Sequence, residues 1–121
     1  MESLEILETA VKTLDAKKAV DIKAIKVDDI TILADYFVIA MGMSSTQVKA
    51  LADEVDYKLS EAGVEPGHIE GKSSGWILLD YGTVVVHVFT REARDTYDLE
   101  RLWADGEKCD ITEIIDNTEA E

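Results

Sequence analysis

The sequence predicts an α/β (α+β) domain, a mixed β-sheet flanked by helices, and three observations carry that prediction. Two segments place apolar residues at helical spacing, one near each end of the first 62 residues. Between them, Tyr36 to Met41 is an unbroken apolar run, as expected of a central strand buried on both faces. Third, GWILLDYGTVVVHVF (75–89) reads as a β-hairpin: a run of large apolar residues, a turn with glycine, then a β-branched run.

The elements follow in order. Leu4, Leu7, Val11 and Leu14 mark an amphipathic helix over 3–18, with Ser3 as N-cap and Glu5 and Glu8 suited to its positive start. From Ala19 to Val27 the pattern turns to alternation, Val20 and Ile22 against Asp21 and Lys23, which predicts a strand ended by Asp28-Asp29. Ile30 to Ala34 is a short connection to the apolar run. After Gly42, Ser44 and Gln47 form a capping box for a second helix. Its stripe is Val48, Leu51, Ala52, Val55, Leu59 and Ala62, and Gly63 is placed to stop it.

Residues 63–75 hold four glycines, the only proline (Pro66) and two serines, so they are expected to form a long loop. In the hairpin, a Tyr81-Gly82 turn sets Asp80 opposite Thr83, Leu79 opposite Val84 and Trp76 opposite His87. Alternation then gathers Ile77, Leu79, Val84, Val86 and Val88 on one face, which is purely aliphatic and must be core. The other face collects Trp76, Leu78, Asp80, Thr83, Val85, His87 and Phe89; a three-residue turn would scramble this parity. Thr90 precedes a last helical stretch, REARDTYDLERLW, with Leu99, Leu102 and Trp103 on a packing face and Tyr97, Glu100 and Arg101 on another. Residues 1–104 are thus expected to form one domain, and 105–121 an acidic, frayed tail, with docking of Ile111, Ile114 and Ile115 as a short helix the alternative.

A chain of 121 residues with 46% hydrophobic residues is long enough to bury a core without staples. Its formal net charge of −14 repels phosphate, disfavours direct binding to nucleic acid and favours a basic partner. A lone Cys109 excludes an internal disulfide and any cysteine-rich zinc site. The sequence carries no secretory h-region, basic presequence or long apolar span, so a cytoplasmic protein without a membrane partner is expected.

Chemistry is sparse. The Gly42–Ser44 turn leading into a helix has a geometry that can hold phosphate, and nucleotidyl transfer would pair it with an Asp-x-Asp on the next strand. Here that strand offers Asp80 alone, flanked at two residues by Leu78 and Gly82. His87 and Asp80 share a hairpin face but lie apart along it, so the reading for His87 is structural, hydrogen-bonded beside Trp76, rather than acid–base. His68 is expected to be a solvated loop residue. Neither histidine has a ligand-spaced partner, and no catalytic residue, metal or cofactor is expected.

Taken together, DYFVIAMGMSSTQVKALADEV (35–55), GWILLDYGTVVVHVF and the closing YDLERLW (97–103) resemble the ribosomal silencing factor, or Iojap-related, family in motif, order and spacing. The resemblance covers nearly the whole chain up to Trp103. It implies a fold similar to nucleotidyltransferases without their metal-binding carboxylates, and a regulator rather than an enzyme. Such a regulator binds large-subunit ribosomal protein fourteen, sterically blocks joining of the subunits and lowers translation when nutrients are scarce. The contact region it implies falls on Trp76 and its hairpin neighbours Leu78, Asp80 and His87, with Tyr97 and Glu100 from the closing motif. It also implies that a homodimer can form. Two other readings stay open at this point, a metal-dependent nucleotidyltransferase-like enzyme and an acidic adaptor for some other basic protein.

Overall fold

Alternating and helical patterns resolve, among the described residues, into six strands and three helices in a computed structural model of the chain. It describes residues 2–28, 34–71, 75–97, 106–109, 111 and 114, with backbone alone for Thr96, Tyr97 and Lys108. In chain order these are α1 (Ser3–Ala16), β1 (Val20–Lys26), β2 (Tyr36–Gly42), α2 (Ser45–Glu61), β3 (His68–Glu70), β4 (Trp76–Asp80), β5 (Val84–Thr90), α3 (Arg91–Tyr97) and β6 (Glu107–Cys109). The strands form one mixed sheet in the order β3-β4-β5-β2-β1-β6. Only β2 and β5 run parallel; every other neighbouring pair is antiparallel. The apolar run is therefore the centre of the sheet, as its composition predicts.

Helices α1 and α2 seal one face. Leu7, Val11 and Leu14 of α1 and Val48, Leu51, Val55 and Leu59 of α2 pack with Val38, Ala40, Ile77, Leu79, Val84, Val86 and Val88 in one buried cluster. Both helical stripes are thus core, with two exceptions. Leu4 is 56% exposed, and its expected place is taken by Ile6. Ala62 is the exposed C-cap of α2 rather than part of its stripe. Burying side chains of this size stabilises by about 1.5–3 kcal/mol each.

The caps divide between expectation and correction. Gln47 N–H donates to Ser44 Oγ at 3.1 Å, and Gln47 Oε1 accepts from Met43 N–H at 2.6 Å. For α1 the N-cap is Glu2, not Ser3: the Glu2 N–H donates to Glu5 Oε1 at 3.2 Å, and Ser3 begins the helix. A carboxylate three residues into the helix reaches back more readily than a one-atom hydroxyl arm.

Two segments expected to be irregular join the sheet. Within 63–75, His68–Glu70 forms β3, an edge strand antiparallel to β4 with His68 opposite Asp80. Beyond residue 104, Glu107–Cys109 forms β6 on the opposite edge, pairing with β1, and Ile111 and Ile114 pack against the main core. The frayed tail is thereby corrected over these residues. Three-residue edge strands carry too little periodicity to be read from composition.

The hairpin register also differs from expectation. Trp76 lies opposite Phe89, Leu78 opposite His87 and Asp80 opposite Val85. The turn is Gly82-Thr83, one residue later than predicted, with Tyr81 N–H donating to Val84 O at 2.9 Å. Only Gly82 of that pair has positive φ, +86°. Glycine at the first central position is the demand of a type II′ turn, which is why Gly82 opens the turn rather than closing it. Moving the turn by one residue shifts the register by two, so both predicted faces survive intact.

Candidate functional site: the aromatic face of the sheet

The face opposite α1 and α2 is built differently. Cross-strand register places Trp76, Leu78 and Asp80 of β4 beside Phe89, His87 and Val85 of β5, then Met41, Ile39 and Phe37 of β2. Ile25, Val27, Ala34, Ile39, Val85 and Phe89 form a second, smaller buried cluster, with Phe37, Trp76, Leu78 and Ala93 half-buried against it. Helix α3 closes one end. Its start is fixed by Thr90, whose Oγ1 accepts from Ala93 N–H at 3.2 Å. The buried Arg94 donates to Asp21 O at 3.0 Å and pairs with Asp21 Oδ2 at 3.2 Å. Asp21 lies at an irregularity in the β1–β2 pairing and has positive φ, +52°. The guanidinium thus ties α3 to a strained point of β1. Gly75 lets β4 meet α3: a Cβ there would sit 2.8 Å from Thr90 Oγ1.

His87 is the centre of this face and is only 4% exposed. Its Nδ1 accepts from Trp76 Nε1–H at 3.1 Å, the structural role read from the sequence. Phe37 meets its ring edge-on at 4.8 Å between centroids, and Phe89 lies nearly parallel to it at 6.1 Å. Trp76 in turn stacks on Phe89 at 5.1 Å. Burial in this ring cluster pushes the imidazole down from its ordinary value to about 4, so it is neutral at physiological pH. With Nδ1 accepting, the proton of the neutral ring resides on Nε2, which is buried without a hydrogen-bond partner among the described residues.

Four of the six residues expected at the contact region have their side chains described. Trp76 and Leu78 are half-buried side by side on the aromatic face. Asp80 is half-buried, and its Oδ1 accepts from Gly82 N–H at 2.8 Å, so the carboxylate caps the hairpin turn rather than meeting His87. His87 is not a surface contact but the floor beneath Trp76. The backbone of Tyr97 ends α3 while its side chain lies outside the described residues, as do Glu100, Leu99, Leu102 and Trp103. Phe37 is the residue that sequence reasoning missed. It sits inside a run read as uniformly buried, and only the alternation within that run would have separated it from Val38.

Other chemistry stays unassembled. Cys109 lies on β6 opposite Ala24, and burial, then the Glu107 carboxylate, push its thiol upward, away from nucleophilic thiolate. His68 is exposed and pairs with Glu70 at 2.9 Å. Burial also raises the Tyr81 hydroxyl, with Asp56 and Glu65 adding to it. Among the described residues no group of three or more His, Cys, Asp or Glu converges as for a metal ion, and no helix is long and apolar enough to cross a membrane.

These features define a class, a single-sheet α+β domain with one face sealed by helices and the other organised by ring contacts. Within that class the chain belongs to the ribosomal silencing factor family. The family model described as "Ribosomal silencing factor during starvation" matches residues 1–121. A ribosomal silencing factor of Chromobacterium violaceum is 45% identical over 109 residues, covering 89% of this chain and 88% of that one. A crystal structure of a protein from the same organism superposes with a TM-score of 0.83 at 43% identity, covering 91% of this chain and 92% of that one. A mouse relative, named mitochondrial assembly of ribosomal large subunit protein 1, is 35% identical over 101 residues, 80% of this chain and 44% of its own length.

Proposed function

We propose that this protein binds large-subunit ribosomal protein fourteen through the aromatic face and, by occupying it, blocks joining of the ribosomal subunits, repressing translation under nutrient limitation. The observation that carries the reading is a half-buried apolar patch, Phe37, Trp76 and Leu78, on a chain of net charge −14 from this family. Interfaces are built on such aromatic centres. The charge favours encounter with a basic ribosomal protein and disfavours a grip on rRNA itself. The large-subunit name of the mouse relative supports the same side of the ribosome. Trp76, Leu78 and Asp80 make the contact, His87 supports it from below, and Tyr97 and Glu100 extend it. The protein acts in the cytoplasm, without catalysis, as a single domain that includes β6 beyond the expected boundary at 104, and a homodimer is a second assembly it can form.

Blocking is steric, because a folded chain of this length is roughly 30 Å across, from a radius of gyration near 13–14 Å. Titrated against large subunits, with joining followed by light scattering, inhibition should saturate near one protein per subunit. Full inhibition at a small fraction of the subunit concentration overturns the wedge in favour of catalysis. Trp76→Ala should weaken co-sedimentation with the large subunit about thirtyfold. Because the indole also stacks on Phe89, thermal melts of the same variant are needed to show that it is folded.

A further inference from the structure

We infer that His87 is a positioning residue for the partner surface: its Nδ1 holds the Trp76 indole by the N–H, so that the partner meets an aromatic platform and not a hydrogen-bond donor. The inference rests on the reading above, that the Trp76 face is the contact.

The argument starts from the layer His87 occupies. Its register neighbours on the two flanking strands are Leu78 and Ile39, and Phe37 and Phe89 lie against its ring. A phenylalanine or leucine would fill this site without burying a polar atom. Histidine here instead leaves Nε2–H buried and unpartnered, an arrangement that destabilises a fold. Among the described residues, the one polar interaction the imidazole makes is the 3.1 Å bond from Trp76 Nε1. What the residue contributes over an apolar one is therefore an acceptor aimed at that indole.

Among the described residues, two restraints act on Trp76. Phe89 supports the ring from one side at 5.1 Å and an interplanar angle of 23°, and the bond to Nδ1 fixes rotation about the side-chain torsions. A tryptophan with its donor already satisfied recognises through its π-surface, which suits apolar side chains and the stems and cationic heads of Lys and Arg. A basic ribosomal protein supplies both. Pre-ordering the ring also lowers the entropy lost when the complex forms.

The wild-type protein allows a direct test. With nitrogen-15 labelling, the two indole N–H signals of Trp76 and Trp103 are assigned through Trp76→Phe. The Trp76 signal should show a nitrogen–nitrogen coupling across the hydrogen bond to His87 and slow exchange with solvent, with the His87 proton on Nε2. No coupling, or a proton on Nδ1, in the wild-type protein overturns the inference. In His87→Phe the Trp76 signal should move and exchange quickly, and large-subunit binding should weaken about tenfold, the worth of one such bond. His87→Asn, which returns an acceptor near Nδ1, should recover part of both. A freed indole with unchanged binding overturns the positioning role. If Trp76→Ala itself binds normally while the coupling is present, the contact surface is wrong and the hydrogen bond stands.

Discussion

Strand β4 carries two different proteins on its two sides. Ile77 and Leu79 are 1% and 0% exposed beneath α2, whereas their neighbours Trp76, Leu78 and Asp80 are half-buried on the other face. The helix side is aliphatic and packs like any domain interior. Opposite it, a smaller aliphatic cluster is joined by the rings of Phe37, Trp76, His87 and Phe89, an imidazole is buried with one nitrogen unpartnered, and among the described residues the covering helix is the seven-residue α3. The difference separates what makes the chain fold from what it presents. A residue that only had to stabilise would be aliphatic, so the aromatic and polar exceptions on the second face point to recognition.

The sharpest way to break this comparison is on adjacent residues. Leu79→Ala opens a cavity in the helix-side core and should cost about 2–5 kcal/mol of stability. Its affinity for the large subunit, measured on the folded fraction, should be near wild type. Leu78→Ala, one position along, should cost distinctly less stability in denaturant melts and more affinity in co-sedimentation. If both variants lose stability equally and binding not at all, the two faces are one core and the division fails.

Much of this division is legible in the sequence alone. The parity of GWILLDYGTVVVHVF separates the aliphatic set from the mixed set, and it survives because the true turn moves the register by an even number. The capping box at Ser44 and the stop at Gly63 are equally local, set by hydrogen bonds within four residues and by a positive φ of +88°. What could not be read was non-local. β3 and β6 exist because neighbouring strands offer unpaired edges, not because HIE or EKC prefers extension. Arg94 reaches Asp21 across 73 residues of chain, and no pattern in either segment announces the other. Of the residues proposed for the contact, Trp76 and Leu78 lie on the mixed face as read from the sequence. The depth of His87 was not, since alternation gives the side of a sheet and not how thickly it is covered.

A pH experiment sharpens the comparison with an effect of similar order, confined to the aromatic face. His87 has its pKa lowered by burial from 6.5 to about 4. Between those values the unfolded chain binds a proton that the folded state refuses, so stability falls as pH drops from about 6.5 and the loss levels off near pH 4. At 1.36 kcal/mol per pH unit the full loss is about 3 kcal/mol. Urea melts across this window should show that slope in the wild type and a shallower one in His87→Phe. Equal slopes would mean the imidazole is solvated, and the ring cluster open, in solution.

The smallest effect expected comes from the two helix caps, which repeat one piece of chemistry on opposite faces. Ser44 Oγ accepts from Gln47 N–H at 3.1 Å and starts the 17-residue α2, which covers the aliphatic side. Thr90 Oγ1 accepts from Ala93 N–H at 3.2 Å and starts the seven-residue α3 on the aromatic side. Removing either hydroxyl leaves one orphan amide at a helix start and costs about 1 kcal/mol. The consequences should differ because the helices do different work. α2 is part of the cooperative core, so Ser44→Ala should lower the melting temperature by several degrees and leave large-subunit binding unchanged. α3 is short and, besides the Arg94–Asp21 contact and Ala93, has few anchors among the described residues, so Thr90→Ala should fray it locally. Hydrogen exchange should then rise at the α3 amides with little change in melting temperature, and affinity should drop a few-fold as the end of the aromatic face loosens. Identical melts and identical affinities for the two variants would show that α3 belongs to the same cooperative unit as α2, and that the recognition face is no softer than the core behind it.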